Sequence, residues 1–166
     1  MRVLTLTRSR AALVLLGTAL LFVAAQIQIP LQPVPITLQT LAVITIGLLF
    51  DRRTAVQAVL LYLGLGVLGL PVFAGFSNLV MVGSRAGYLV GFLAAVWSMT
   101  YLREYFGLLV TCLLGSAVIY ACGVAWLSFY LGFHNAVLLG FVPFIVPGII
   151  KAALLSGVVR FLRGAV

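Results

Sequence analysis

The stretch IPLQPVPITLQT, residues 29–40, interrupts two apolar runs of helical length and decides the fold of this chain. It holds three of the six prolines of the protein. Each proline lacks an N–H donor and disfavours the helical conformation of the residue before it, so no helix can run through the segment. The chain must leave one helix, cross an ordered non-helical segment and enter a second helix.

The composition indicates a protein whose main solvent is lipid. Of its 166 residues, 64% are hydrophobic and only 7% are charged, whereas soluble domains carry roughly 25% charged residues. The length predicts a single domain over residues 1–166. It leaves room for five or six membrane spans of about 20 residues each.

We predict an all-α integral membrane protein with six transmembrane helices and both termini in the cytoplasm. The apolar runs place the spans at about 11–28, 37–50, 54–70, 88–102, 108–127, and from 147 or 148 to 160. Under this topology, eight of the ten lysines and arginines lie on the cytoplasmic side, as the positive-inside rule requires. The two exceptions are Arg85 and Lys151. Removal of residues 1–25 as a signal peptide would spoil this pattern.

The net charge of +8 does not indicate nucleic-acid binding, because the arginines are dispersed at helix ends and form no continuous basic face. The second span is short, so the proline-rich segment is expected to dip into the membrane. Irregular backbone at that depth is tolerated only beside protein or a water-filled cavity. We therefore predict that this segment lines an outward-facing substrate cavity.

A long connection, residues 71–87, follows the third span and is rich in glycine and aromatic residues. It is too apolar for an ordinary solvated loop, and we predict that it forms a lid over the cavity. The alternative is a loop that lies on lipid headgroups.

Lys151 is the strongest candidate for ligand binding. We predict it in about the first turn of span six, facing a polar interior, although a side chain that reaches the outer interface is an alternative. Both acidic residues, Asp51 and Glu104, lie at cytoplasmic ends, so the expected partner is a substrate carboxylate. Arg85 could supply a second, bidentate contact. Both cations are predicted near helix starts, where the backbone dipole favours negative charge.

The remaining candidates would contact the rest of a small, partly apolar anion. Aromatic side chains would pack against its apolar part, namely Phe73, Tyr88, Tyr120 and Trp126. Polar side chains would form hydrogen bonds with it, namely Asn78, Gln39 and Thr37. The single histidine, His134, is predicted in a short solvated loop. The sequence contains no paired carboxylates, metal-ligand cluster or nucleophile with a base, so neither an enzyme nor a cofactor is predicted. No phosphate-binding loop occurs, so an ATPase would be a separate chain.

These residues resemble the BioY family, the biotin-specific substrate-binding (S) component of energy-coupling factor (ECF) transporters. The resemblance rests on residues 29–41, on LYL (61–63), GLPVFAG (69–75) and GYLVGF (87–92), and on Tyr120, Gly123, Trp126, Pro143 and Lys151 nearer the C-terminus. It implies a six-helix, multi-pass protein of the cytoplasmic membrane that binds biotin from outside with very high affinity. A transmembrane scaffold protein and two ABC-type ATPases would be its partners. Within the third stretch, Gly75 joins the candidate site.

The chain departs from the family pattern at three places. The family has an aspartate where this chain has Gly148, and its lid pattern Gly-Pro-Thr-Gly-Gly-Tyr is replaced by GSRAGY at residues 83–88. The Ala-x-x-x-Ala face expected toward the scaffold protein is interrupted by Leu15. The glycine keeps a second hypothesis open, namely another carboxylate-bearing vitamin or precursor such as dethiobiotin or lipoate. An integral membrane enzyme is a third hypothesis, disfavoured by the lack of acidic residues.

Overall fold

The structure, a computed structural model, describes residues 9–78 and 83–164. Its helices are α1 (Arg10–Gln26), α2 (Gln39–Leu49), α3 (Arg52–Val67), α4 (Ala86–Leu102), α5 (Leu108–Leu131), α6 (Phe133–Gly140) and α7 (Val142–Gly164). A single residue separates α6 from α7, so the two form one interrupted rod. Within residues 9–78 and 83–164, the seven helices make six rods, which confirms the prediction of six helices.

The proline-rich segment is a short β-hairpin between α1 and α2. Strand β1 (Gln28–Ile29) pairs antiparallel with β2 (Ile36–Thr37). The N–H of Leu38 also donates to the carbonyl of Ile27 at 3.1 Å, which ties the start of α2 to the end of α1. The prediction of an ordered, non-helical segment is confirmed. The strand pairing was not predicted, because two residues per strand are too few to show an alternating pattern.

The last rod begins earlier than predicted. We expected span six to start at Pro147 or Gly148, but α7 already begins at Val142, and Pro147 lies inside it. Pro143, the second residue of α7, loses nothing by lacking an N–H, because the first N–H groups of a helix have no intrahelical partner. Pro147 removes one hydrogen bond, to the carbonyl four residues earlier. The two prolines together mark the first turns of this helix rather than its boundary.

Three further predictions are corrected by these boundaries. Lys151 lies nine residues beyond the first residue of α7, in the helix interior rather than its first turn. Helix α5 runs to Leu131 instead of Leu127, since no glycine or proline lies between Leu127 and Gly132. His134 is part of α6 and not of a loop, because Gly132 ends one helix and the next begins at once.

Helix α2 is the centre of the molecule. It packs against α1, α3, α4, α5 and α7. Eight of its eleven residues are buried, namely Gln39, Thr40, Ala42, Val43, Ile44, Ile46, Gly47 and Leu48. The outer faces of the other helices are apolar; Phe129 and Phe161, for example, are 85% and 77% exposed. Exposed apolar surface on this scale requires an apolar surrounding.

Two helical segments are long and apolar enough to cross a membrane by themselves. They are α5 and the rod Phe133–Phe161, each with a mean hydropathy of 2.2 over its most apolar stretch. Helices α1 and α2 are apolar but shorter. In the described residues, the test of length and hydropathy therefore supports two of the six predicted spans directly.

The first part of the predicted lid folds back onto the helices. Residues 73–77 form a tight turn, in which Phe73 and Ser77 exchange backbone hydrogen bonds of 2.9 and 3.3 Å. The ring of Phe73 packs on Gly66 of α3, where even a single added carbon would overlap it. Residues 79–82 of the predicted lid lie outside the described residues.

Candidate functional site

A cavity lies beside the hairpin and the start of α2. Its walls come from β2, α2, the 73–77 turn, α4, α5 and α7, and its lining consists of Val34, Pro35, Thr37, Gln39, Thr40, Phe73, Ala74, Ser77, Arg85, Tyr88, Leu89, Phe92, Ile119, Tyr120 and Phe144. The cavity itself has a volume of about 60 Å³, and about 560 Å³ of empty space surrounds it when its open mouth is included. The smaller volume is room for roughly five water molecules.

The wall formed by β2 and α2 is held rigid by a chain of hydrogen bonds. The hydroxyl of Thr37 donates to Oε1 of Gln39 at 3.2 Å, and Nε2 of Gln39 donates to the hydroxyl of Tyr62 at 2.8 Å. Tyr62 in turn donates to the carbonyl of Val72 at 3.0 Å. The amide of Gln39 is thereby fixed in orientation, and the hairpin is linked through α3 to the 73–77 turn.

Lys151 stands behind this wall. It is only 9% exposed, and its Nζ donates to the carbonyl of Thr37 at 2.6 Å and to the hydroxyl of Thr40 at 2.9 Å. Both partners line the cavity, so the ammonium lies one hydrogen bond away from it. Both are also neutral. The two side-chain carboxylates of the chain lie elsewhere: Asp51 precedes α3, and Glu104 follows α4.

The opposite wall is aromatic and belongs to α4, α5 and α7. The ring of Tyr120 packs on Phe144 at 5.7 Å and on Phe141 at 5.9 Å between centroids, and Tyr88 approaches Phe144 at 6.3 Å. The hydroxyl of Tyr88 donates to the carbonyl of Gly140 at 2.7 Å. This wall offers an apolar surface suited to a flat or aliphatic ligand group.

Arg85 brings a positive charge to the cavity lining itself. It ends the 3₁₀ turn Gly83–Arg85 and is the cap residue of α4. The adjacent 73–77 turn is tied to α1 through Gln26, whose Nε2 donates to the carbonyl of Phe73 at 3.3 Å and whose Oε1 accepts from the N–H of Phe76 at 3.2 Å. Arg85 and this turn therefore approach the cavity from two separately anchored elements.

The structure brings most of the predicted site residues together. Six of the ten line the cavity, namely Thr37, Gln39, Phe73, Arg85, Tyr88 and Tyr120, and Lys151 lies directly behind them. Asn78, Gly75 and Trp126 are outside the lining. Nδ2 of Asn78 donates to the carbonyl of Gly69 at 3.3 Å, and Nε1 of Trp126 donates to the carbonyl of Gly83 at 3.2 Å. Gly75 has a φ of +70° within the 73–77 turn and lies beside Gln28.

Sequence reasoning missed several members of the site. Thr40, Ser77, Phe92, Ile119 and Phe144 line the cavity, and Tyr62 orients Gln39. Ile119 looks like an ordinary residue of an apolar helix, so no local pattern could have singled it out, whereas Phe92 lies in the stretch GYLVGF that carries the family resemblance. Thr40 carried a signal, because it lies one residue beyond Gln39 at the predicted start of span two. Among the described residues, no cluster of three or more side chains could hold a metal ion.

Comparisons with known proteins identify the family of this chain. The model of the BioY family matches residues 1–166. The chain belongs to the BioY family. It is 41% identical over 155 residues to the "probable biotin transporter BioY" of Pyrococcus horikoshii, covering 92% of this chain and 95% of that protein. It is 40% identical over 141 residues to the "biotin transporter BioY" of Thermotoga maritima, covering 81% and 83% of the two chains.

A solved structure supports the same assignment. The crystal structure of an S-component for biotin from an ECF-type ABC transporter superposes with a TM-score of 0.82 and 27% sequence identity, and it covers 93% of this chain and 90% of that one. The chain therefore has the S-component fold of a BioY protein. It is a membrane protein and a transport component rather than an enzyme, which confirms the family resemblance and the prediction that no reaction is catalysed.

Proposed function

We propose that this BioY protein binds biotin in the described cavity and takes it across the cytoplasmic membrane as the S component of an ECF-type transporter. The observation that carries the proposal is the pairing of charge with apolar surface. Arg85 lines one part of the cavity and Lys151 stands behind another, while Tyr88, Tyr120 and Phe144 form an aromatic wall. Biotin has an apolar thiophane ring and aliphatic chain, a polar ureido group and one carboxylate; its apolar part suits the aromatic wall and its carboxylate suits the two cations.

In the proposed complex, the carboxylate lies against Arg85, whose planar guanidinium suits a two-point contact. Lys151 provides the second positive charge, from behind Thr37 and Thr40. The hydrogen-bonded Gln39 and Thr37 form a wall of fixed shape, so little ordering of these groups is needed when the ligand binds. The enclosed volume of about 60 Å³ is smaller than typical ligand sites of roughly 300–1,000 Å³. Binding therefore requires the cavity to widen toward its mouth.

The proposed topology faces this mouth outward. The opposite end of α2 lies beside Arg52, Arg53 and Arg103, and the positive-inside rule assigns such an end to the cytoplasm. Residues 71–87 would then act as the outer lid. A scaffold protein and two ABC-type ATPases would complete the transporter, in keeping with the absence of a phosphate-binding loop from the sequence. Cells that express the chain with and without such a module, assayed for biotin uptake, would show whether transport depends on it.

Equilibrium binding of labelled biotin to the purified protein in detergent tests the binding step. We expect saturable binding that excess unlabelled biotin abolishes and that thiamine and riboflavin leave unchanged. Dethiobiotin and lipoate, the alternative carboxylate-bearing ligands, are expected to compete more weakly than biotin. Absence of saturable biotin binding, or stronger competition by either alternative, would overturn the proposal.

A further inference from the structure

The hydroxyl of Tyr120 stands out among the polar groups of the cavity. Tyr120 is 5% exposed, and its hydroxyl is the buried side-chain polar atom that has no hydrogen-bond partner within the described part of the chain. Buried polar groups in proteins are nearly always hydrogen-bonded, and an exception requires an explanation. Because Tyr120 also lines the ligand cavity, a bound ligand is a direct candidate for the partner of this hydroxyl.

The two other buried tyrosines of this region show the contrast. Tyr88 donates to the carbonyl of Gly140 at 2.7 Å, and Tyr62 lies between Gln39 and the carbonyl of Val72. Each of these hydroxyls forms a hydrogen bond within the protein. The hydroxyl of Tyr120 is also buried but forms no such bond with the described residues.

The surroundings of this hydroxyl are set by α7. The Tyr120 ring is held between Phe141 and Phe144. Its hydroxyl is turned toward Gly148, where a Cβ atom would come within 3.0 Å of the oxygen. That distance is shorter than most contacts of a Cβ atom, so a Cβ at position 148 would push the hydroxyl away by a few tenths of an ångström. The glycine leaves it in place.

Lys151 lies on the same face of α7, three residues after Gly148. Helix α7 therefore faces both the Tyr120 hydroxyl, through Gly148, and the wall of β2 and α2, through Lys151. Lys151 uses two hydrogen bonds on Thr37 and Thr40, and an ammonium has three N–H groups. Lys151 therefore retains one N–H group behind the wall of β2 and α2, and the hydroxyl of Tyr120 is a donor on the aromatic wall that the fold does not use.

We propose that the Tyr120 hydroxyl donates a hydrogen bond to an oxygen atom of the bound ligand, and that Gly148 is required because it keeps this hydroxyl in position. The inference rests on the proposed function, since it takes biotin as the ligand. Tyr120 thereby becomes a specificity-determining residue and not only part of an apolar wall. Sites that offer a buried hydrogen-bonding group discriminate strongly against ligands that lack its partner.

The test compares Tyr120→Phe with Tyr88→Phe in biotin binding and in thermal unfolding without ligand. Tyr120→Phe removes a hydroxyl that the unliganded fold does not use. We expect its unfolding temperature to equal or exceed that of the original protein, while its dissociation constant for biotin rises about 5- to 20-fold. Tyr88→Phe breaks a hydrogen bond of the fold, so it is expected to lower the unfolding temperature.

Gly148→Ala tests the second half of the proposal, and Gly157→Ala is its matched control on the same helix. No atom lies within 4 Å of a Cβ at Gly157, so the control reports only the general effect of alanine in α7. We expect Gly148→Ala to weaken biotin binding severalfold and Gly157→Ala to leave it unchanged. Combined with Tyr120→Phe, the change at Gly148 should have no further effect, because the hydroxyl that it displaces is gone.

The outcomes separate this inference from the proposed function. Normal biotin affinity in Tyr120→Phe overturns the inference while biotin binding by the original protein still stands. Equal penalties of Gly148→Ala with and without the Tyr120 hydroxyl also overturn it. If the original protein does not bind biotin, both the proposed function and the inference are wrong.

Discussion

At each end of helix α2 a cation donates hydrogen bonds to oxygen atoms. The helix dipole favours the cation at one end and disfavours the cation at the other. At the C-terminal end, Nη1 of Arg103 donates to the carbonyls of Gly47, Leu48 and Phe50 at 3.2, 2.8 and 2.7 Å. At the N-terminal end, Nζ of Lys151 donates to Thr37 and Thr40. A helix carries partial negative charge at its C-terminus and partial positive charge at its N-terminus.

Arg103 is therefore stabilised by the helix it caps, whereas Lys151 is not. The last carbonyls of α2 have no intrahelical donors, and the arginine supplies them. Lys151 instead adds positive charge to the end of a helix that is already positive, in a buried place without a carboxylate. We infer that the charge of Arg103 serves the fold and the charge of Lys151 serves the ligand. This division of roles predicts opposite behaviour of variants at the two ends.

The largest effect is expected from Lys151→Ala on ligand affinity. Loss of a buried charge that assists an anionic ligand should raise the dissociation constant for biotin by about 100-fold or more. Arg52→Ala is the control, because Arg52 lies at the other end, bonded to Thr100 and over the ring of Tyr101. Equal affinities of the two variants would show that Lys151 acts only in membrane topology.

Arg103→Ala should give the reverse pattern. It leaves three carbonyls at the end of α2 without this donor, so we expect the free energy of unfolding to fall by about 1.5–3 kcal/mol. Biotin affinity should stay within about twofold of the original, measured at a temperature where the variant is folded. Thermal unfolding in detergent, followed by helical circular dichroism, gives the first quantity. A variant of unchanged stability would remove the contrast between the two ends.

Tyr62→Phe is expected to have a smaller effect on both the free energy of unfolding and the affinity for biotin. The change deprives Nε2 of Gln39 and the carbonyl of Val72 of a partner, so the free energy of unfolding should fall by about 1 kcal/mol. Affinity for biotin should fall severalfold, because the Gln39 wall is no longer fixed. Unchanged affinity with reduced stability would place Tyr62 in the fold alone.

The smallest effect concerns Asp51 and is visible as a pH dependence. Partial burial opposes ionisation of this carboxylate, but hydrogen bonds from the hydroxyl (2.6 Å) and the N–H (3.1 Å) of Thr54 outweigh it and lower its pKa. A lowered pKa means that the stabilisation is present above about pH 4 and is lost as the pH falls through the pKa of the folded state.

Asp51→Ala removes the cap of α3 and should cost about 0.5–2 kcal/mol at pH 7. Its difference from the original protein should shrink below about pH 4 when both are unfolded thermally across a pH series. Biotin affinity at pH 7 should not change, since Asp51 is at the end of α2 far from Lys151. A difference that stays constant down to pH 3 would contradict the account of this cap.

Much of the fold could be predicted because each break in the chain has a local cause. The prolines of residues 29–40 excluded a helix, and the charged residues 51–53 marked the cytoplasmic boundary between the second and third spans. Pro147 misled us for the same local reason, since a proline near the start of a helix and a proline that ends one look alike in sequence. The early start of α7 then moved Lys151 from a helix end to a helix interior.

The site could be predicted only where a residue type was unusual for its surroundings. A lysine in an apolar span and an arginine in an apolar connection are rare enough to be noticed, and the structure places both at or beside the cavity. Ile119 and Phe144 are typical of every helix in this chain. The free hydroxyl of Tyr120 depends on how α5 packs against Gly148, and no sequence pattern encodes that contact.

The most direct test of the contrast between the two ends is the unfolding temperature of Lys151→Met, with and without saturating biotin. Methionine is an unbranched side chain only one atom shorter than lysine, and it removes the charge. Burying a charge without an opposite charge beside it is costly, and an apolar group of similar size removes that cost. We therefore predict that the variant without ligand is at least as stable as the original protein and gains little from biotin. A variant that is strongly destabilised without ligand, yet is stabilised by biotin as much as the original, would contradict the account.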